Sequence, residues 1–482
     1  MSMFLTDFDQ WYDEYEAAAP SQQYALVKEA IAQPIPIEYA TEIDLGMILL
    51  EVFDLLVNHN QVDEVLALVT TLQQQQSDLY QLEFQYFDTF LIKYHLFYNH
   101  IDAVSDTLIR FKTNPVQGID QLIPALDDLQ FYDATEPLID LCRAVYHPVS
   151  TSRELIGGSE IEFGTILIID QFERASQQLQ QGEPIDWQTL GPEVSQYGLE
   201  TDAAIRAEVE HNLTTEVEGN SDFFQRFKDN RGSALRQLLL GFCRYMATHH
   251  QISFIGSRVI WELTLDFLES RELSKKQLAH PDKYFAIAQP SLDRYVAQQI
   301  GGLLSSRQAT GFAILWGIPY LYEFLQSRQI ITEQTSQQAI ADANALKPLL
   351  IKAFSSHLWQ YDFVHRWQRP HSIPEVEFAA EAEQFAASIK QSKPLSDQPV
   401  ERPSWNAMLD QAAKKIAAKT NQQPSQNRPT ADQGSPPPIQ STWKPPKPRK
   451  SPLQAARHLP DTKPSSKSKQ SNKKKKRKGF KD

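Results

Sequence analysis

Ile161-Glu162-Phe163-Gly164-Thr165-Ile166-Leu167-Ile168-Ile169-Asp170 decides the fold class of this 482-residue chain. It is short, rich in β-branched residues, and runs into a helical pattern at Phe172–Leu179. Read as a strand, with Asp170 at its end, it would open an α/β layout near residues 160–260. Read as a helix, it leaves the whole body helical. Periodicity alone does not separate a buried strand from a buried helix in so short a run. The surrounding sequence does more. Ile252–Ile255 is the one other strand candidate, and two short strands do not make a sheet. We therefore read the chain as all-α, an antiparallel helix-hairpin bundle or irregular α-solenoid.

Upstream, helix follows helix. Phe4, Phe8, Trp11, Tyr12 and Tyr15 recur at spacings of three and four, the stripe of an amphipathic helix. Pro20 ends it and Ser21 can cap the next. Helices are predicted near 21–32, 41–58, 62–75, 78–98, 101–112, 116–130 and 133–146, with short connections that favour antiparallel neighbours. Val62-Asp63-Glu64-Val65 is matched 39 residues later by Ile101-Asp102-Ala103-Val104. Asn58-His59 and Asn99-His100 precede these copies, and Asn can take the left-handed conformation that stops a helix. Tyr132-Asp133-Ala134 begins a weaker third copy. Such spacing straddles that of a 34-residue helix-hairpin repeat.

Over residues 40–146 the chain thus resembles the tetratricopeptide-like family of helical repeats. The resemblance implies stacked hairpins and a protein-binding role. The family's signature Trp, Leu-Gly and Tyr positions are absent, so no binding residue is carried over from it. A generic helical bundle is the alternative reading.

Downstream, His147–Gly158 reads as a hinge. Residues 182–220 read as loop-rich, with Gly182, Pro184, Gly191, Pro192, Gly198 and Gly219. Helices resume near 221–248, 257–270, 291–305, 311–327, 332–345 and 347–367. Trp261, Trp316, Trp359 and Trp367 fall on them as core residues. The domain reading is 1–146 helical-repeat-like, 147–160 hinge, 161–375 second helical domain, 376–390 helical extension, and 391–482 basic tail.

Charge separates the last of these from the rest. Residues 391–482 hold 21 Lys and Arg against 6 Asp and Glu, a formal charge of +15, while the preceding 390 residues carry −28. The tail has three aromatic residues and 14 of the 29 prolines. That composition predicts disorder, because too little apolar surface is available to offset the entropy of ordering. Within it, Ser404–Thr420 differs. Trp405, Met408, Leu409, Ala412 and Ile416 line one helical face between Pro403 and Pro424, as in a helix that docks in a hydrophobic groove. Lys473, Lys474, Lys475, Lys476, Arg477 and Lys478 form a cationic run suited to a polyanion such as RNA or anionic lipid. The oppositely charged body is a further target, so intramolecular contact between tail and body is expected.

No motif dictates a chemistry. The twelve histidines are scattered, without HExxH or a Cys/His cluster. Glu216–Asp222 has the alternating oxygens of a calcium loop but its glycine is misplaced. Gly157-Gly158 and Gly301-Gly302 lack the residues of a phosphate cradle. Cys142 and Cys243 make no CxxC and fit a reducing compartment. The N-terminus lacks a signal peptide, and the longest apolar run, Ala309–Tyr322, is too short to span a bilayer. The expectation is a cytoplasmic, non-enzymatic scaffold or adaptor with no cofactor, metal or catalytic residue. It would bind protein partners through the acidic body and the tail helix. The alternatives are an RNA- or ribosome-associated factor anchored by the basic tail, and an enzyme carried by an α/β segment near 160–260.

Overall fold

In the computed structural model, residues 3–301 and 307–398 are described, and they are all-α with no strand among them. The first six helices are α1 (Met3–Thr6), α2 (Phe8–Ala17), α3 (Pro20–Ile31), α4 (Ile37–Glu42), α5 (Leu45–Asn58) and α6 (Val62–Gln75). Next come α7 (Ser77–Phe97), α8 (Ile101–Thr113), α9 (Ile119–Phe131), α10 (Thr135–Thr151), α11 (Ile161–Gln180) and α12 (Trp187–Gln196). Then follow α13 (Ala203–Thr214), α14 (Ser221–Asp229), α15 (Arg231–His250), α16 (Phe254–Glu269), α17 (Lys275–Leu278) and α18 (Pro281–Tyr284). The series closes with α19 (Gln289–Ile300), α20 (Gln308–Ser327), α21 (Glu333–Ala353), a 3-10 segment (Leu358–His365), and α22 (Glu375–Ala387). None of these helices is long and apolar enough to cross a membrane.

Ile161–Asp170 is the first half of α11, so the α/β alternative loses its strand. Every residue from Phe163 to Asp170 is buried, because α10, α13 and α16 pack around α11. A helix buried on all sides is apolar all round and shows no amphipathic period. That is why its sequence imitates a strand. Gly164 permits the packing: a Cβ there would lie 2.9 Å from the Tyr146 ring and 3.0 Å from the Tyr197 carbonyl oxygen. Ile252–Ile255, the other strand candidate, is the entry to α16, where the Ser253 hydroxyl accepts from the Gly256 amide at 3.2 Å.

Two helices lie where the sequence reads as loop. Asp186 accepts from the Gln188 amide at 3.0 Å and starts α12, and Asp202 accepts from the Ile205 amide at 2.8 Å and starts α13. N-cap carboxylates of this kind satisfy amides that the helix itself leaves unpaired. The N-terminal stripe is also divided. Asp7 separates α1 from α2 and caps the second at 3.1 Å. The segment read as a hinge is partly helical, since His147–Thr151 completes α10 across Pro148.

From α5 to α10 the packing alternates. α7 lies against both α8 and α9, and α8 lies against α10. The hairpin turns share one backbone solution. Asn60, Asn99 and Asp133 are left-handed, at φ 53°, 56° and 54°. The following amides, of Gln61, His100 and Ala134, reach back to Leu56, His95 and Leu129 carbonyls at 2.9, 2.8 and 2.9 Å. This is the Schellman closure of a helix C-terminus. It moves the first left-handed residue from the expected Asn58-His59 to Asn60, because Asn58 still belongs to α5. Asn60 and Asn99 then stand in the same 39-residue register as Val62 and Ile101.

Candidate docking surface

The residues that could carry chemistry are used in packing. Cys142 and Cys243 are fully buried, and burial pushes both thiols well above their usual range. An uncharged thiol of that kind is a poor nucleophile. Glu216 is paired with Arg328, and Gly219 donates its amide to the Arg328 carbonyl at 2.7 Å. The calcium-like segment is therefore a loop pinned to the end of α20. His365 pairs with Glu381 at 2.9 Å, and His357 packs against Phe354. His249 and His250 both pack against Tyr245, and the His249 Nδ1 bonds the Tyr245 carbonyl at 3.0 Å. Arg258, wholly buried, joins three helices. It pairs with Glu162 of α11 and Glu262 of its own α16, and donates to Gln130 of α9 at 2.8 Å. No group of three or more His, Cys, Asp or Glu among the described residues could hold a metal ion.

A different arrangement has the marks of a docking device. After α21 the chain runs back across the ends of the N-terminal helices. Trp367 Nε1 donates to the carbonyl of Phe131, the last residue of α9, at 2.9 Å. Arg366 Nη2 donates to the carbonyl of Phe97, the last residue of α7, at 2.5 Å. The Lys393 amide donates to His59, just past α5, at 2.8 Å. Three stacked helices thus have C-terminal carbonyls satisfied by one later segment. Helix C-termini favour donors and cations, since their carbonyls point outward unpaired.

Asn60 is the fixed point of this strap. Its side chain is buried, donates to the Ser388 carbonyl at 2.9 Å, and accepts from Trp359 Nε1 at 2.7 Å. The Ser388 hydroxyl in turn accepts from the Trp359 amide at 2.6 Å. Trp359 packs edge-on to Phe90 and Phe97, and Phe363 stacks on Phe131 at 4.7 Å. The strap then passes Gln61, whose Nε2 donates to the Lys393 carbonyl at 2.5 Å, and reaches α3. There the Ser21 amide donates to the Ser396 carbonyl at 3.2 Å, and the Ser21 hydroxyl donates to Asp397 at 2.7 Å. Ser21 is not the N-cap of α3. Ala19 holds that position with Pro20 at the first helical residue, and no side chain caps the helix. The strap supplies an acceptor instead.

Where the strap arrives, the surface is concave. An open groove of about 410 Å³ lies between α2 and α3, with Ala17, Ala18, Ala25 and Leu26 in its lining and Glu14 and Glu29 exposed beside them. Gln22, next to Ser21, also lines it. A smaller pocket of about 90 Å³ lies beside α15 and α20. Half-buried Arg244 there donates to the Thr215 carbonyl at 3.2 Å, with Arg328 and Glu216 alongside.

The docking-helix residues Trp405, Met408, Leu409, Ala412 and Ile416 lie outside the described residues, as do Lys473, Lys474, Lys475, Lys476, Arg477 and Lys478. Trp359 and Trp367 are buried as expected, but their indole hydrogen bonds are a further role. Asn60, Ser388 and Ser21 are anchoring positions of the strap, a role that sequence reasoning missed. Only Asn60 left a signal, its 39-residue match to Asn99. No protein-family model matches the chain, and neither a curated protein nor a solved structure matches it.

Proposed function

We propose that this chain is a non-enzymatic, cytoplasmic helical adaptor that presents a docking helix from a fixed point on an acidic body. The α5–α10 hairpins are, in this reading, a tetratricopeptide-like array, and residues 404–420 bind a protein partner through Trp405, Met408, Leu409, Ala412 and Ile416. The observation that carries the proposal is the strap. From Trp359 to Asp397 the chain is bonded to the ends of α7 and α9, then to the end of α5 and lastly to α3, so everything after Gln398 leaves from one place. A fixed origin raises the local concentration of a tethered ligand for any site in reach, and gives two linked modules joint affinity without new contacts.

The test is capture from native cells by the full chain, by a chain ending at Gln398, and by a full chain with Trp405→Ala and Leu409→Ala. Partners recovered by the first and lost from the other two support the adaptor. An identical partner set from all three refutes it. The +15 charge of residues 391–482 supports one second reading, a polyanion-binding factor, in which Lys473–Lys478 would hold RNA or a ribosome. That reading requires RNA retention which falls steeply with salt and vanishes when residues 471–482 are removed, while the Trp405 and Leu409 substitutions leave it unchanged.

A further inference from the structure

We propose that the α2/α3 groove is the resting seat of residues 404–420 of the same chain. The inference rests on the reading of that segment as a docking helix, and adds the surface that receives it when no partner is bound.

Position is the first argument. The described chain ends at Gln398, one residue past Asp397, which is held by Ser21. Gln22 is next to Ser21 and lines the groove. The last bonded residue before the segment, Asp397, is therefore anchored one position from the groove lining, on the very helix that forms one wall. Length is the second. From Gln398 to Trp405 is seven residues, which span up to about 23 Å when extended. From Gln22 to Glu29 along α3 is about 10 Å, and a helix from Trp405 to Ile416 is about 17 Å long. The linker reaches the groove without strain, and the helix overruns it by about one turn.

Chemistry is the third. Ala17, Ala18 and Ala25 are small enough to let another helix lie close, and half-buried Leu26 gives it an apolar contact. Glu14 and Glu29 flank that lining and are exposed. The segment brings an apolar face bordered by Lys415 and Lys419, with Lys414 and the single Asp410 on the far side of the helix. An apolar stripe meets an apolar lining, and lysines meet glutamates. A foreign helix or a second copy of the chain would meet the same lining, but neither starts from Ser21. A short tether gives an effective concentration on the order of 1 mM, so a seat with a dissociation constant near 0.1 mM is occupied about ten to one.

The test uses cysteine protection in the full chain. Both native cysteines are fully buried, so Ala25→Cys creates a selectively reactive thiol in the groove. Its alkylation should be about tenfold slower in the otherwise native chain than in one also carrying Trp405→Glu and Leu409→Glu. A synthetic peptide of residues 399–420 should restore protection to the doubly substituted chain. Equal rates in the two chains overturn the proposal. So does protection that survives the two substitutions, and protection that grows with protein concentration identifies a second copy as the occupant. The docking-helix reading is judged separately. If the same two substitutions abolish partner capture while the alkylation rates are equal, the helix stands and its seat in this groove falls.

Discussion

Asn60 should be worth far more than its counterpart Asn99, although the two have nearly the same backbone. Both close a helix in the left-handed region, at φ 53° and 56°. Asn99 is exposed, whereas Asn60 is buried between Ser388 and Trp359. Asn60→Gly keeps the backbone conformation accessible and removes the side chain. It strands the Trp359 indole N–H and takes one donor from the Ser388 carbonyl, in a place water does not reach. The Ser388 carbonyl keeps the Gln391 amide at 3.0 Å, so one buried group is left unpaired and the substitution should cost about 1–3 kcal/mol. Asn60→Ala should cost about 1 kcal/mol more, because a Cβ is disfavoured in the left-handed region. Asn99→Gly should fall within about 0.5 kcal/mol of the parent, since glycine is the residue that position favours.

The assay is urea unfolding followed by far-UV circular dichroism, with indole fluorescence as a second probe. Limited proteolysis adds a local reading. Asn60→Gly should expose the 388–398 strap to cleavage under conditions where Asn99→Gly does not. If the two glycine variants have the same urea midpoint and the same cleavage pattern, the strap contacts contribute nothing and the fixed-origin argument fails with them.

Three other outcomes follow from particular side chains. His250 is 1% exposed, and burial pushes its pKa down to about 4, with His371, His249, Tyr245 and Tyr320 around it and Glu323 bonded to the His371 amide. The unfolded ring titrates near 6.5, so between these values the unfolded state binds more protons and stability falls as pH drops, by about 3 kcal/mol in all. His250→Leu should flatten that part of the pH dependence, and unchanged slopes between pH 6.5 and 4 would count against it. Lys347 is buried over the Trp316 ring at 4.9 Å, and burial pushes its ammonium down to about 8. Its folded-state penalty grows as pH falls from the unfolded value near 10.4 through 8. After allowing for the lost ring contact, Lys347→Met should stabilise by about 1–2 kcal/mol at pH 7 and by less at pH 10, measured as urea midpoints. Gly219→Ala would place a Cβ 1.9 Å from the Gln329 carbonyl oxygen and should destabilise by at least about 2 kcal/mol. Gly157→Ala, with open space around it, should be neutral, both compared as urea midpoints.

Helices were legible wherever one face met solvent. α6, α8 and α10 show their buried positions at spacings of three and four, and their starts fall within two residues of expectation. Legibility failed at the two extremes of burial. The first half of α11 is enclosed and lost its period. α12 was hidden by Gly191 and Pro192, although Asp186 ahead of it was a readable cap. α21 was expected in two pieces and is continuous through Pro348. The strap was illegible for another reason. Its bonds to the N-terminal helices join residues 236 to 376 positions apart, such as Trp367 with Phe131 and Ser21 with Asp397. Such pairings leave no local pattern in either partner. Asn60 could be seen as a turn residue but not as an anchor.

The strap also bears on where a partner of the hairpin array could bind. The carbonyls at the ends of α7 and α9 are the natural acceptors for an incoming cation or N–H group, because a helix C-terminus carries partial negative charge. Arg366 and Trp367 supply those groups from within the chain. An external peptide on this edge would have to displace a guanidinium, an indole and the Trp359–Asn60–Ser388 knot together. Losing those buried pairings costs several kcal/mol before any new bond forms. A ligand of micromolar affinity has only about 8 kcal/mol in all. The row of turns therefore holds the C-terminal segment, and its acceptors are already taken. On the adaptor proposal, recruitment is assigned to residues 404–420 and not to this edge.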